Sequence, residues 1–263
     1  MDRGEEKRGD NLPGISAVLA ANAGQAELDG AVLDLAAVLD GLVYGNFEII
    51  VVETQSSPQV AGTLAELQVR CPTLPVRLQG GEHVGQEAAL AAGFDAAVYD
   101  LILVTGTSAE FDVRETNHLL EAIEHGADLA IGYRPRRADG IVRRLHGWGW
   151  NVLVSLLFGQ TGRDVDCPFK LFRTVVWQGV HVHPREASPT FNAELLVRAR
   201  RLGFRVVEVP VSHRRPPEGV SRRAAGPTEI RRALVELGEL RRGLGKENGQ
   251  SATVRLPAGR QAA

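Results

Sequence analysis

Several features that define common protein classes are scarce or missing in this sequence. It contains only two cysteines, Cys71 and Cys167, whose number and wide spacing argue against a disulfide scaffold and a cysteine metal site. No apolar run approaches the ~20 residues that a membrane-spanning helix needs. The charged first residues, 1–13, contain no apolar core, so we expect no secretion signal. These absences predict a cytoplasmic protein, or one that is peripheral at the inner face of the membrane.

Charge and short motifs remove further classes. The formal net charge is −2, so no general basic field would recruit nucleic acid. Gly80, Gly81 and Gly85 do not form the fingerprint of a dehydrogenase-type nucleotide domain. No P-loop, nucleophile elbow or zinc cluster is present, and His181 and His183 lack a third ligand. Basic residues cluster only locally, at 134–144 and at 214–223.

Strand-like and helix-like stretches alternate through the first half. The β-branched run at 48–53 lacks polar alternation, which is typical of parallel strands covered by helices on both faces. Ligands of such α/β sheets bind beyond the carboxyl ends of the strands. The predicted strands are Ile15–Ala20, Glu48–Glu53, Val76–Leu78, Leu101–Val104 and Asp128–Tyr133. The predicted helices are 26–42, 59–70, 85–97 and 113–125.

The second half has fewer strands. We predict a helix over 143–158, a turn and strand within 163–173, a helix over 191–202, a strand over 205–211 and an amphipathic helix over 227–240. Residues 14–242 are therefore interpreted as one domain. The polar segments 1–13 and 243–263 are predicted to be a disordered lead and a disordered tail.

Four stretches resemble family 2 glycosyltransferases, specifically the branch of dolichol-phosphate mannosyltransferases and polyprenol-phosphate sugar transferases. They are EIIVVETQSS (48–57), EHVGQEAALAAGFDAA (82–97), DLAIGYRPRRAD (128–139) and DVDCPFKLFR (164–173), the last continued by FNAELLVRARRLGFRVVEVPVSHR (191–214). The resemblance covers roughly four fifths of the chain, from Ile15 to Arg223.

This resemblance implies a GT-A fold, which is Rossmann-like, with a mostly parallel sheet and helices on both faces. It implies an inverting transferase that moves a hexose from a GDP- or UDP-sugar to a polyprenyl phosphate. Residues 14–134 would form the nucleotide-sugar half and 135–242 the acceptor half. The family's cofactor is a divalent metal, Mg²⁺ or Mn²⁺, because its Asp-x-Asp pair supplies hard carboxylate ligands.

The sequence departs from the family pattern in the donor-side loops. The Asp-x-Asp position reads Thr105-Gly106-Thr107, and neutral hydroxyls do not replace two carboxylates as metal ligands. Glu110 is the only candidate metal ligand nearby. The family's Asp-Asp-Gly-Ser reads Glu53-Thr54-Gln55-Ser56, and its Tyr-Asn-Glu reads Ala21-Asn22-Ala23. We therefore expect a site that functions without metal, or one that has lost donor binding.

The resemblance also assigns roles to individual residues. The catalytic residues near the transferred sugar would be Asp164, Asp166 and Lys170. Donor binding would involve Asn22, Glu53, Thr105, Thr107 and Arg134. The acceptor and phosphate groups would be bound by Arg144, Arg215, Ser221 and Arg222.

Two hypotheses remain open at this point. The first is an active hexosyltransferase. The alternative is a non-catalytic relative that binds a lipid phosphate or partners an active transferase. The helix with Trp148 and Trp150 likewise has two interpretations, since indoles favour membrane interfaces but also pack on sheets.

Overall fold

The computed structural model describes residues 14–21, 28–43, 46–53, 58–81, 85–106, 110–136, 141–159, 162–180, 188–214 and 226–247. For residues 141–144, 227, 246 and 247 it describes only the backbone. The chain divides into two compact units, one up to Ala224 and one from Ala225 onward.

The first unit begins with alternating strands and helices. Four of its strands run parallel: β1 (Ile15–Ala21), β2 (Phe47–Glu53), β3 (Val76–Gln79) and β4 (Leu101–Gly106). The helices between them are α1 (Leu28–Val43), α2 (Pro58–Arg70) and α3 (Gln86–Asp95). Every residue of β1 and β2 is buried, as expected for strands that are covered on both faces.

An antiparallel strand joins the rest of the sheet to this parallel block. Strand β6 (Lys170–Arg173) lies between β4 and β5 (Leu129–Tyr133) and runs antiparallel to both, while β7 (Val206–Pro210) continues parallel to β5. The resulting seven-stranded order is β3-β2-β1-β4-β6-β5-β7. The sheet is thus mostly parallel, as predicted.

Helices cover both faces of this sheet. On one face, α1, α2 and α4 (Thr116–Glu124) contribute to a continuous apolar core with alternate strand residues. On the other face, α3 lies so close to the sheet that a Cβ at Gly93 would come within 2.6 Å of Val18 and 2.8 Å of Val52. Phe94 of α3 makes edge contacts with Phe172 of β6 and Trp177 of α6 (Thr174–Val180).

Two further helices complete the first unit. They are α5 (Ile141–Phe158) and α7 (Phe191–Arg201). Helix α6 was not predicted, because its seven residues follow β6 directly and are too few to show a helical repeat of apolar residues. A short 3₁₀ helix (Val113–Glu115) precedes α4, where one continuous helix was predicted.

The second unit contains α8 (Pro227–Glu247). This helix extends past its predicted end near Leu240 and includes residues 243–247, which were assigned to the tail. Among the residues described, no helix combines the length and apolarity needed to cross a bilayer. The predicted disordered segments 1–13 and 248–263, and His181 and His183, lie outside the described residues.

Candidate functional site

The carboxyl ends of β1, β2 and β4 meet at one edge of the sheet. The register aligns Ala21 with Glu53, and Ala20 with Gly106. Glu53 is 4% exposed, and its Oε1 is buried without a hydrogen-bond partner among the described residues. A buried carboxylate oxygen without a donor is costly. Glu53 therefore offers an acceptor at the edge where α/β sheets bind ligands.

Thr105 belongs to strand β4 rather than to the loop after it. It pairs with Leu19 of β1 and is 3% exposed, so its hydroxyl lies inside the sheet edge. The sequence prediction ended this strand at Val104 and was wrong by two residues. Two other predicted donor-binding residues, Asn22 and Thr107, lie outside the described residues.

Glu110, the candidate metal ligand, lies beside a histidine. Its carboxylate Oε2 is 4.0 Å from Nε2 of His213, and both side chains are almost fully buried. A backbone hydrogen bond of 2.8 Å from Arg214 N to the Glu110 carbonyl holds the two segments together. No group of three His, Cys, Asp or Glu side chains with metal-binding geometry occurs in the described part of the chain. With threonine at position 105, these side chains do not fit a Mg²⁺ or Mn²⁺ site.

Arg134 and Asp164, predicted in separate roles, contact each other directly. Arg134 follows β5 and donates from Nε to Oδ2 of Asp164 at 2.6 Å and from Nη2 to Oδ1 at 2.8 Å. Both side chains are about 5% exposed. Such a bidentate pair is strong and fixes the orientation of both groups. Two N–H groups of Arg134 therefore donate to Asp164 and are not available to a phosphate.

Lys170 begins β6 and points into the face of the sheet covered by α3 and α7. Its Nζ donates to the carbonyl oxygen of Cys167 and to Oδ1 of Asn192 at 2.9 Å. The residue is 2% exposed. Desolvation lowers the pKa of its ammonium group, opposed by the nearby Cys167, Asp166 and Asp164. Sequence reasoning missed Asn192, because an asparagine in the first turn of a helix carries no signal of its own.

Asp166 lies in the turn between Asp164 and Cys167, and its side chain is exposed to solvent. Desolvation by the surrounding protein, with a smaller contribution from Asp164, raises the pKa of its carboxyl from 3.8 to about 6, and Lys170 opposes the rise. The indole of Trp150 in α5 also lowers the pKa of Asp166. Among the described residues, no acceptor lies in hydrogen-bond geometry with its Nε1.

A cavity of about 150 Å³ opens beside these groups. It is lined by the polar side chains of Glu87, Asp166, Lys170 and Asn192, and by the rings of Phe94 and Phe191. A cavity that holds one water needs a volume of roughly 10–15 Å³, so this cavity has room for a ring-sized ligand. Val104 of β4 also lines it, which places the cavity next to the carboxyl end of that strand.

Helix α5 is attached to the turn that carries Asp164 and Asp166. Asn151 donates to the carbonyl of Arg163 at 2.8 Å and accepts from the amide of Val165 at 3.2 Å. Away from this contact, α5 exposes apolar side chains at helical spacing. They are Leu145, Trp148, Val152 and Leu156, with exposed fractions from 38% to 79%. We call these four residues the α5 apolar stripe.

The predicted acceptor-binding residues are largely outside the described part of the chain. Arg215, Ser221 and Arg222 fall in residues 215–225, and of Arg144 only the backbone in α5 is described. The site residues that the structure brings together are Asp164, Asp166, Lys170 and Arg134. Glu53 and Thr105 share the adjacent sheet edge.

Comparison with known proteins gives one family and several relatives. Residues 18–180 match the model for "Glycosyl transferase family 2". The chain is 29% identical over 204 residues to polyprenol monophosphomannose synthase of Mycolicibacterium smegmatis, covering 72% of this chain and 75% of the relative. It is 31% identical over 173 residues to glycosyltransferase AglD of Haloferax volcanii, covering 63% of this chain and 27% of the relative.

A third relative is an undecaprenyl-phosphate 4-deoxy-4-formamido-L-arabinose transferase of Edwardsiella ictaluri, 28% identical over 67% of this chain and 53% of the relative. The chain thus spans about a quarter of the AglD protein and about half of this transferase.

Solved structures confirm the predicted GT-A fold. The crystal structure of mannosyl-3-phosphoglycerate synthase from Rubrobacter xylanophilus has a TM-score of 0.65 at 15% identity, over 90% of this chain and 75% of that one. Glucosyl-3-phosphoglycerate synthase from Mycobacterium tuberculosis, in complex with Mn²⁺, uridine diphosphate and glucosyl-3-phosphoglycerate, has a TM-score of 0.58 at 17% identity. That match covers 88% of this chain and 76% of that one.

Proposed function

Because the chain belongs to glycosyl transferase family 2, we propose that it transfers a hexose from a nucleoside-diphosphate sugar to a polyprenyl phosphate or a related acceptor. The cluster of Arg134, Asp164, Asp166 and Lys170 beside a ring-sized cavity is the observation that carries this proposal. The names of the polyprenol and undecaprenyl-phosphate relatives support the choice of acceptor.

The nucleoside would bind at the edge formed by β1, β2 and β4. The unpaired Oε1 of Glu53 suits a donor group of the base or a ribose hydroxyl, which would satisfy the buried acceptor. Thr105 lies in β4 at this edge, and Asn22 and Thr107 directly follow β1 and β4 in the sequence. These three residues would complete the donor side.

The transferred sugar would occupy the cavity beside Asp166 and Lys170. Arg134 then acts as a positioning residue, because its guanidinium holds Asp164 in place through two hydrogen bonds. This assignment replaces our expectation that Arg134 binds the donor. Asp164 in turn acts on Asp166 and Lys170 through its charge.

The reaction needs no strong general base. An oxygen of the acceptor phosphate, already ionised at neutral pH, forms a bond to the anomeric carbon. The bond from that carbon to the diphosphate oxygen breaks, and its electron pair leaves with the nucleoside diphosphate. The developing charge on this leaving group must be stabilised.

We propose that cationic side chains, rather than a metal, provide this stabilisation. The structurally similar glucosyl-3-phosphoglycerate synthase was solved in complex with Mn²⁺, but Thr105 and Thr107 here offer only neutral oxygens. Guanidinium groups pair with phosphate in bidentate fashion. Since Arg134 is engaged with Asp164, the candidates are Arg144, Arg215 and Arg222.

The α5 apolar stripe supports a peripheral membrane contact. A polyprenyl chain resides in the bilayer, so the enzyme must reach its surface. An amphipathic helix with an exposed tryptophan binds the headgroup region, and adjacent arginines favour anionic lipids. The basic segment 134–144 immediately precedes the stripe in sequence.

Calorimetry with a panel of nucleotides tests the donor half of this proposal. GDP, UDP and their hexose derivatives would be titrated with Mn²⁺ and then with excess chelator. We expect one nucleotide series to bind with the same Kd under both conditions. Failure of every nucleotide to bind would contradict a transferase and favour a non-catalytic protein.

A further inference from the structure

Asn192 lies in the first turn of α7 and lines the cavity beside Asp166. An asparagine at the start of a helix often bonds to nearby backbone groups, which would make it a local structural residue. Here the side-chain oxygen instead accepts from Nζ of Lys170 at 2.9 Å, across 22 positions of the sequence. The side chain of Asn192 is therefore placed by a tertiary contact at the cavity and not by its own helix.

The contact with Lys170 determines which end of the Asn192 carboxamide remains for a ligand. An ammonium group can only donate, so the atom of Asn192 that lies next to Nζ is the oxygen. Lys170 is itself held in place, because Nζ also donates to the carbonyl of Cys167 and the residue is 2% exposed. Within the part of the chain that the structure describes, no acceptor bonds to the NH₂ group of Asn192.

The free end of this side chain suits a sugar hydroxyl. The NH₂ group offers two N–H donors and no acceptor, and the residue is half-buried, so each donor must bond to water or to a ligand. Apolar side chains supply much of the remaining lining, namely Leu90, Phe94, Phe191 and Leu195. An apolar pocket with a few directed polar groups is typical of small-molecule sites. A hydroxyl oxygen that replaces the water reproduces its hydrogen bond.

We propose that Asn192 is a specificity-determining residue for the transferred sugar, and that its NH₂ group donates a hydrogen bond to one hydroxyl oxygen of that sugar. This inference rests on the proposed function, since it concerns the sugar of the donor. Lys170 orients Asn192 through the bond to its oxygen. A sugar that lacks this hydroxyl leaves the NH₂ group without its acceptor, so the site should discriminate against it.

One substitution separates the two ends of the side chain. Asn192→Asp keeps an oxygen for Lys170 and replaces the two donors with a second acceptor of nearly the same size. The fold should therefore be retained while the bond to the sugar is lost. Asn117→Asp is the matched control. Asn117 is exposed on α4, its Oδ1 accepts from the amide of His118 at 2.8 Å, and it lies outside the lining of the cavity.

Calorimetry on the full chain measures the effect of the sugar on binding. UDP is compared with UDP-glucose and GDP with GDP-mannose, and the readout is the Kd of the nucleotide divided by the Kd of its sugar derivative. We expect Asn192→Asp to lower this ratio roughly three- to tenfold, which corresponds to one hydrogen bond. Asn117→Asp should leave the ratio unchanged. Equal weakening of nucleotide and sugar nucleotide in Asn192→Asp would overturn the contact with the sugar.

Deoxy derivatives of the sugar nucleotide distinguish a direct contact from a structural role. In the native chain, removal of the hydroxyl that bonds to Asn192 should weaken binding by a similar factor. In Asn192→Asp, removal of the same hydroxyl should have little further effect, because its partner is already gone. Additive losses at every position of the ring would overturn the proposal.

Selective ¹⁵N labelling of asparagine gives a readout that needs no variant and stands even where Asn192→Asp fails to fold. We expect the NH₂ resonances of Asn192 to shift when the sugar nucleotide binds and to stay in place when the nucleotide alone binds. An equal shift from both ligands, or no shift from either at saturation, would overturn the proposal.

The outcomes separate this inference from the proposed function. Nucleotide binding together with an unchanged ratio in Asn192→Asp, in a variant with native circular dichroism, would overturn the role of Asn192 and leave the transferase proposal intact. Failure of every nucleotide and sugar nucleotide to bind the native chain would overturn both.

Discussion

Arg134 and Asp164 form a buried, bidentate ion pair that connects the end of β5 to the turn before β6, with N–O distances of 2.6 and 2.8 Å. The two residues are 30 positions apart in the sequence and meet because β5 and β6 are neighbouring antiparallel strands. This pair fixes the turn that carries Asp166 and borders Lys170. The geometry of the candidate sugar site therefore depends on it.

Breaking this pair should be costly. Asp164→Asn removes the carboxylate that accepts both hydrogen bonds of the buried Arg134 guanidinium, so we expect a loss of about 3–5 kcal/mol in the free energy of unfolding. Urea denaturation measures it. The double variant Arg134→Met, Asp164→Leu removes both charges and should lose less than Asp164→Asn alone.

The Arg70–Asp29 pair provides the matched control. It has the same N–O distance of 2.6 Å, but its side chains are 55% and 38% exposed. Solvent screens such a pair, so Asp29→Asn should leave the urea midpoint essentially unchanged. Equal effects of the two aspartate substitutions would contradict the structural importance of Asp164.

The raised pKa of Asp166 predicts a pH-dependent stability difference. The folded state binds the proton more tightly than the unfolded state, so the contribution of Asp166 to stability is complete below about pH 3.8 and falls as the pH rises to about 6. Asp166→Asn removes this dependence. The variant should therefore gain stability relative to the native chain as the pH rises from 4 to 6, with a constant difference above that.

Chemical denaturation of the native chain and of Asp166→Asn, at intervals of about 0.5 in pH between pH 4 and 8, measures this difference in stability. A gap between variant and native chain that stays constant with pH would show that the carboxyl has an ordinary pKa.

Substitutions of the two glutamates of β2 should have different effects, one on nucleotide binding and the other on stability. Glu53→Gln replaces an unpaired acceptor with an amide, and we expect roughly tenfold weaker nucleotide binding from loss of a charged hydrogen bond. Glu48→Gln is the control at the other end of the same strand. Its carboxylate accepts from Ser16, Arg77 and the amide of Val98, so this variant should lose stability but retain nucleotide affinity.

Calorimetry and urea denaturation on both variants separate the two effects. Loss of nucleotide affinity in Glu48→Gln alone would mean that Glu53 does not contact the ligand.

The α5 apolar stripe predicts binding to lipid. Leu156→Ser should weaken sedimentation with vesicles of phosphatidylglycerol and phosphatidylcholine by about tenfold, because a buried leucine contributes ~1.5–3 kcal/mol of transfer free energy. Leu156 is 79% exposed, and Val69 of α2, at 80%, is an equally exposed apolar residue outside the stripe. Val69→Ser should leave vesicle binding unchanged. Equal loss in both variants would indicate nonspecific adsorption.

The sequence predicted most of the parallel half of the fold. Strands β1, β2 and β4 are mainly apolar, without regular polar alternation, which is typical of strands buried on both faces. Gly93 in the alanine-rich helix α3 allows that helix to approach β1 and β2 closely. Strand ends were less accurate, since Thr105 and Gly106 extend β4 although neither is apolar. The place of β6 between β4 and β5 was not predictable, because antiparallel pairing depends on long-range contacts rather than on local pattern.

The motif resemblance predicted that Asp164, Asp166 and Lys170 lie close together, but not how the side chains bond to one another. It placed Arg134 among the donor-binding residues, because a lone arginine in the sequence does not reveal its partner 30 residues away. Asn151 and Asn192 were missed for a related reason. Asn151 bonds to Arg163 and Val165, and Asn192 bonds to Lys170, through hydrogen bonds that only the folded chain creates.

The most direct test of the account is transfer in the absence of available metal. The full chain would be incubated with a radiolabelled nucleotide sugar, identified by calorimetry, and a short-chain polyprenyl phosphate in detergent, with excess chelator or with Mn²⁺. We expect a labelled polyprenyl-phosphate sugar to form at similar rates in both conditions. Product that forms only with Mn²⁺ would contradict metal-independent transfer, and no product in either condition would contradict transfer itself.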